Sequence, residues 1–192
     1  MLKSPVLVDV DDVVCALRPY LCDALYKATG KDIHYSKWSH PRLHETYGMS
    51  EEEFVQAMKK YRILERSYPE LDAQKALLAL RNSGHPVVLV TKRGWHPDAA
   101  TITANWFERF HLPYTSLLVV PDGKSKLDVY GDFDMEFAAM IDDQTSNLDE
   151  AKCSGMVRAT HLVDRPWNKT DSKHERSNSL YAAAVKIISE AP

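Results

Sequence analysis

Apolar and polar positions divide the chain into short runs of unlike period. Val6, Leu7 and Val8 form an unbroken apolar run that ends in Asp9, Val10, Asp11 and Asp12. Such a run predicts a strand covered on both sheet faces. Next, Leu17, Leu21, Leu25 and Ala28 recur at helical spacing, predicting a helix over 16–29 that Gly30 stops. Residues 31–49 show no period and are rich in His, Trp and Tyr. Ser50 and Glu53 form a capping-box pattern opening a helix to about residue 66, with Phe54, Met58 and Tyr61 as its apolar stripe. Another helix is predicted over 71–83, ended by Gly84 at the C′ position, and the Val and Leu run in 86–91 predicts a second buried strand.

From there strands and helices alternate. Pro97 suits a first helical position and opens a helix to about residue 110. Strands are predicted over 117–120, 138–142 and 157–163, and helices over 124–130, 146–154 and 173–189. The alternation predicts an α/β fold with a parallel sheet and helices on both faces. Roughly 70 residues separate Asp12 from Val87, too many for one crossover helix. The surplus predicts a small helical segment, 15–80, inserted after the first strand, with 1–14 and 81–192 forming the core.

The chemistry lies at the strand ends. Three carboxylates in four residues repel one another unless a cation or ligand sits among them. On extended backbone Asp9 and Asp11 point one way and Val10 the other. That spacing suits a nucleophilic carboxylate beside an acid/base carboxylate, with a shared divalent metal. A second pair, Asp142 and Asp143, closes the apolar run 138–141. If both runs are neighbours in one parallel sheet, both clusters open on the edge where such folds bind ligands. Either cluster alone equally suits a solvated strand end or a helix cap. Together they argue for a site.

Composition narrows the class. A net charge of −3 gives no basic field, so no stable nucleic-acid partner is expected. No stretch approaches the ~20 apolar residues of a membrane span, and the chain opens on a core strand instead of a signal peptide. Cys15, Cys22 and Cys153 have no metal-like spacing and are expected to be reduced, so the expected location is cytoplasmic, with no membrane partner. His34, His40 and His44 invite a zinc reading, but Pro41 breaks any shared face of His40 and His44, and no cysteine accompanies them.

Four ordered motifs resemble the haloacid dehalogenase (HAD) superfamily of phosphotransferases. They are the strand into Asp9-Val10-Asp11, the strand Val87-Val88-Leu89-Val90 ending in Thr91, a helix-opening lysine at Lys124 or Lys126, and Ile141-Asp142-Asp143. The resemblance implies a three-layer Rossmann-like fold, a helical cap over the site, Mg2+ as cofactor and a small phosphorylated substrate. Within the superfamily the chain is most similar to the 5′(3′)-deoxyribonucleotidases. That likeness rests on size, cap position, the acidic pair and Asp164-Arg165-Pro166-Trp167-Asn168. Two features depart from the pattern: Asp12 replaces the usual glycine after the second aspartate, and 130–137 is inserted before the acidic pair.

By that resemblance Asp9 is the nucleophile, forming an aspartyl-phosphate. Asp11 protonates the leaving oxygen and later activates water, a role requiring a raised pKa from neighbouring carboxylates. The metal ligands are all oxygen: Asp9, the backbone carbonyl of Asp11, and one of Asp142 or Asp143, with Asp142 preferred as the direct ligand. Thr91 holds a phosphoryl oxygen, the amide of Lys92 adds a donor, and Arg93 is a further phosphate contact. Lys126 is preferred to Lys124 as the motif cation. Trp38, Tyr47 and Tyr20 are available to stack a nucleobase, and Arg62 to contact base or phosphate, with a packing role for the aromatics left open. The implied activity is a magnesium-dependent 5′-nucleotidase acting on (deoxy)nucleoside monophosphates. Polynucleotide 3′-phosphatase, another small-metabolite phosphatase and a catalytically silent binding module are the alternatives. A homodimer is left open.

Overall fold

The computed structural model describes residues 3–40, 42–170 and 173–190. Pro41 and the extreme ends of the expected core range lie outside the described residues. Six strands form one parallel sheet: β1 (Val6–Val8), β4 (Val87–Gly94), β5 (Ser116–Pro121), β6 (Phe137–Asp142), β7 (Val157–Val163) and β8 (Glu175–Ser177). Their order is β5-β4-β1-β6-β7-β8, with every pairing parallel. β1 is central, with Val8 in register with Leu89 on one side and Ile141 on the other. The chain winds outward from β1 to one edge and then returns to its other side. The crevice at this reversal is where doubly wound sheets hold ligands.

The β1 side chains explain the layers. Val6 and Val8 enter one apolar cluster and Leu7 the other, so both faces are buried. The first face is covered by α5 (Ala73–Asn82), α6 (Ala99–Arg109) and α9 (Leu180–Glu190), through Leu77, Phe107 and Ala184 among others. The second carries α7 (Leu127–Tyr130) and α8 (Thr145–Ser154), through Tyr130, Leu148 and Ala151. Gly94 ends β4 against β5. A Cβ there would lie 2.8 Å from the Asp122 amide, so any side chain would push the strands apart.

The inserted segment holds α1 (Arg18–Thr29), α2 (Leu43–Tyr47), α3 (Glu51–Lys60) and α4 (Ile63–Arg66). Gly30 closes α1 at φ 71° and the Ser50–Glu53 capping box opens α3. The segment leaves and rejoins the core through a short antiparallel ribbon of β2 (Cys15–Ala16) and β3 (Tyr68–Pro69). In this ribbon the buried Cys15 thiol donates to Ser67 Oγ at 3.0 Å, and Trp106 Nε1 donates to Ser67 O at 2.8 Å.

Three expectations need correction. The helix expected to run to residue 66 stops at Lys60, because Arg62 takes a left-handed φ of 51° and redirects the chain so that Ile63 and Leu64 bury in α4. The helix expected over 173–189 begins only at Leu180, because Glu175–Ser177 pairs with β7 as an edge strand. Its polar, three-residue sequence carries no alternating apolar signal, as is common at edges. The expected boundary at 80 falls inside α5, which packs on α9 and β4 with the sheet layers.

Candidate active site

The turn after β1 sets the site. The Asp9 amide donates to Ile141 O at 2.9 Å and extends the central ladder by one residue. The Cys15 and Val14 amides then fold back on Val10 O, at 2.8 and 3.0 Å. Asp12 sits within this turn at φ 59°, where glycine is favoured and aspartate is one of the tolerated exceptions. Its Oδ1 accepts from the Leu17 and Arg18 amides and from Arg18 Nη1, at 3.1, 3.1 and 3.0 Å. These bonds cap the start of α1 and offset the strain, which accounts for an acid where the resembling family has glycine.

Asp9 and Asp142 meet at Lys126. The Lys126 ammonium, only 2% exposed, donates to Asp9 Oδ1 and to Asp142 Oδ2, the latter at 2.7 Å. Burial works against this ammonium, yet Asp142 and Asp9 outweigh it and raise its pKa above the ordinary lysine value. The structure thus brings Lys126 to the carboxylates, whereas Lys124 is exposed. Asn147 Nδ2 reaches both Asp142 oxygens at 3.1 Å and the Gln144 amide reaches Oδ1 at 2.8 Å, so Asp142 is fully engaged.

Asp11 turns elsewhere. Arg93, 0% exposed, grips it with Nε at 2.9 Å from Oδ2 and Nη2 at 2.5 Å from Oδ1. The third arm of the guanidinium, Nη1, donates to Thr103 Oγ1 at 3.0 Å. Arg93 is therefore committed to protein partners and is not an open phosphate contact. The buried Thr91 hydroxyl donates to Asp11 Oδ2 at 3.5 Å. Instead of other carboxylates, Asp11 has a guanidinium as its immediate neighbour.

Asp143 is held by neutral donors. Trp167 Nε1 and Gln144 Nε2 donate to its Oδ2 at 2.8 and 3.0 Å, and Asn168 Nδ2 donates to its backbone carbonyl at 2.8 Å. Burial, followed by the charge of Asp142, pushes Asp143 up to about 8. Burial likewise drives Asp9 well above the usual carboxylate range despite Lys126.

Two residues that the sequence reading did not single out join these parts. Glu70, beside β3, accepts from Arg18 Nη2 at 2.7 Å and from Arg165 Nη2 at 2.9 Å. Arg165 Nε in turn donates to Asp12 O at 2.7 Å. Trp95 was also missed. It lines a cleft of about 1200 Å³ between the insertion and the sheet edge, together with Lys92, Trp38, Trp167 and Gln144.

Other predicted contacts fall differently. Trp38 lines this cleft but is only 2% exposed, with its ring 6.4 Å from that of Trp167, so it is packed and not an open base platform. Tyr47 lines a separate hollow, its hydroxyl donating to Ile33 O at 2.8 Å. Arg62 is exposed and paired with Glu65 at 3.1 Å, and Tyr20 stacks on Tyr68. Neither lines the cleft. Trp38 and Tyr47 lie in the aperiodic segment 31–49, which carries no signal of which way its side chains face.

The donor set suits a hard divalent cation. Carboxylate oxygens of Asp9, Asp142 and Asp143 lie within 4.8 Å of one another, with Asp142 already engaged by protein donors. Among the described residues, no hydrogen bond reaches Asp9 Oδ2 or Asp143 Oδ1. The linked network holds six carboxylates (Asp9, Asp11, Asp12, Glu70, Asp142, Asp143) against four cations (Arg18, Arg93, Lys126, Arg165). With all six ionised the network is two positive charges short, the charge that one divalent ion carries.

The chain's sequence matches no protein-family model and no curated protein. Its fold is nonetheless shared with solved structures. A predicted phosphatase from Clostridium acetobutylicum superposes with TM-score 0.72 at 18% identity, covering 98% of this chain and 100% of that one. A haloacid dehalogenase-like hydrolase from Streptococcus pneumoniae gives 0.67 at 12%, covering 97% of each. A defluorinating L-2-haloacid dehalogenase, Rha0230, gives 0.64 at 12%, covering 96% and 94%. The chain therefore has the Rossmann-like α/β fold of HAD-type hydrolases, a fold that serves both phosphatases and a dehalogenase.

Proposed function

We propose that the protein is a magnesium-dependent phosphomonoester hydrolase acting on nucleoside monophosphates, with Asp9 as nucleophile. The observation that carries this reading is the buried Lys126 ammonium held between Asp9 and Asp142, beside the partly unpaired Asp143. A dehalogenase needs no cation site for its leaving halide, so the carboxylate trio favours phosphoryl transfer within this fold.

Magnesium would be held by Asp9, Asp143 and the backbone carbonyl of Asp11, where it would neutralise phosphoryl charge and polarise the scissile bond. Asp142 is fully occupied by Lys126, Asn147 and the Gln144 amide, so we assign direct ligation to Asp143, reversing the preference drawn from the sequence. Asp9 attacks phosphorus in line; the Asp–O–P bond forms as the ester P–O bond breaks. The leaving oxygen takes its proton from Asp11, which enters this step as the carboxylic acid, so one of its oxygens must leave the two-pronged Arg93 pair to carry that proton. A water then returns a proton to Asp11 and attacks the aspartyl-phosphate, releasing inorganic phosphate and restoring Asp9. Arg93 orients Asp11 from behind, and Lys126 sets positive charge against the reacting carboxylate.

A phosphate alone does not fill a cleft of about 1200 Å³. Trp95 and Trp167 on the sheet side face Leu21, Phe54 and Met58 of the insertion, a setting for a flat apolar base. Asp12, Glu51, Glu52 and Asp122 outnumber the cations Arg42 and Lys92 along the cleft and disfavour a polyanionic strand, so mononucleotides are preferred to polynucleotide ends. The test is phosphate release with magnesium across nucleoside monophosphates, a 3′-phosphorylated oligonucleotide and other phosphorylated metabolites, with halide release from a haloacid in parallel. Turnover of nucleoside monophosphates is expected. Halide release without phosphate release refutes the phosphatase reading, and preference for the oligonucleotide refutes the substrate assignment.

A further inference from the structure

We propose that Trp167 is a positioning residue that couples the seating of the inserted segment to the orientation of the metal-binding carboxylate of Asp143. This rests on the phosphatase reading above and adds a link from the insertion to the metal site. Trp167 lies in the turn Pro166–Asn168, which is pinned at both ends. Asn168 Nδ2 donates to Asp143 O and Val163 O, both at 2.8 Å, and its Oδ1 accepts from the Arg165 amide at 3.0 Å. Arg165 fixes the other end on Asp12 O and Glu70.

With the backbone held, the indole has two partners belonging to different parts of the molecule. Its Nε1 donates to Asp143 Oδ2 at 2.8 Å, while its ring lies against Trp38 of the insertion, centroids 6.4 Å apart and planes tilted by 34°. A donor on Oδ2 fixes the carboxylate and leaves Oδ1 without a hydrogen bond among the described residues, in a cluster whose ligand atoms lie within 4.8 Å of one another. Gln144 supplies a second donor from within the acidic loop itself, leaving Trp167 as the donor that also contacts the insertion. Trp38 is buried and follows the turn Tyr35–Lys37, so its ring moves with the insertion. When the insertion is seated, Trp38 presses the indole into the position that bonds Asp143. When it is displaced, the indole loses that support and the carboxylate loses a fixed orientation.

Outer hydrogen-bond partners of metal ligands are worth about 10- to 100-fold in metal affinity. Magnesium binding is read by titration calorimetry without substrate, for the full-length wild type, Trp167→Phe and Trp38→Ala, each with its melting temperature. Trp167→Phe keeps an aromatic ring, though a smaller one, and removes the N–H; its magnesium Kd is expected to rise about tenfold with little change in melting temperature. Trp38→Ala touches no carboxylate, yet its Kd is expected to rise as well, by about two- to fivefold, the share lost when the indole is unsupported. Gln144→Ala, which removes the other Oδ2 donor, is expected to raise Kd in the same direction and serves if Trp167→Phe proves unstable. Unchanged Kd in both Trp167→Phe and Gln144→Ala overturns the positioning role. Weakened binding in Trp167→Phe with wild-type binding in folded Trp38→Ala overturns the coupling. If wild type binds no magnesium at all, the phosphatase reading falls and this proposal with it.

Discussion

The two acidic loops at the sheet edge are neutralised in opposite ways. After β1, each carboxylate meets a cation: Asp9 has a share of Lys126, Asp11 has Arg93 and Asp12 has Arg18. After β6, Asp142 shares Lys126 and otherwise both acids rest on neutral donors, namely Asn147, Gln144 and Trp167. Neutral donors orient a carboxylate without cancelling its charge. The first loop is thus built to hold fixed charges in place, and the second to leave charge available. Asp143, a buried acid without a cation of its own and with its pKa pushed up to about 8, is the more informative sign of function, since a merely structural acid is normally matched by a cation or left in water.

Several measurements test that contrast. The largest effect is expected for Asp9→Asn, which removes the nucleophile and should lower kcat on the order of 10⁴-fold, read by phosphate release. Because one repelling charge leaves the cluster, metal-free melting temperature should stay equal or rise. Retained turnover would end the aspartyl-phosphate mechanism.

Arg93→Met comes next. If Arg93 orients Asp11, kcat should fall roughly 100-fold with KM little changed, and combining it with Asp11→Asn should cost no more than Asp11→Asn alone. A rise confined to KM would instead make Arg93 a substrate contact.

For Trp95→Ala, loss of one stacking contact of about 1–3 kcal/mol corresponds to roughly a 5- to 150-fold drop in kcat/KM for a nucleotide, with a small generic phosphoester spared. Equal loss on both substrates would remove Trp95 from base recognition.

The smallest effect concerns pH. Asp9 and Asp143 have folded pKa values raised from 3.8, Asp143 to about 8, so the metal-free fold binds more protons than the unfolded chain between those values. Its stability should therefore fall as pH rises from about 4 to 8, and magnesium, which takes the place of those protons, should raise the melting temperature by more at pH 8 than at pH 6. A magnesium gain that is flat with pH would separate these two acids from the ion.

Much of the frame was legible because its signals are local. Val6–Val8 and the run ending in Thr91 announce buried strands by composition alone, and the capping box at Ser50 is a four-residue pattern. What stayed hidden depends on distant partners. β8 is recognisable only by its pairing with β7, and Glu70 matters because the fold brings Arg18 and Arg165 to it. Tyr47 and Arg62 lie away from the cleft for the same reason, since residue type says nothing about which side of a short helix meets it. Asp12 is the instructive middle case. Its charge was visible, but its left-handed backbone and capping bonds were not.

The ribbon that ties the insertion to the core carries its own clock. Burial pushes the Cys15 thiol up to about 12, and its hydrogen goes to Ser67 across the ribbon, so the closed form offers almost no thiolate to an alkylating reagent. Cys153 is exposed and Cys22 partly so, and both supply reference rates on the same chain. Slow labelling at Cys15, measured by mass spectrometry against those two, then counts how often β2 and β3 part.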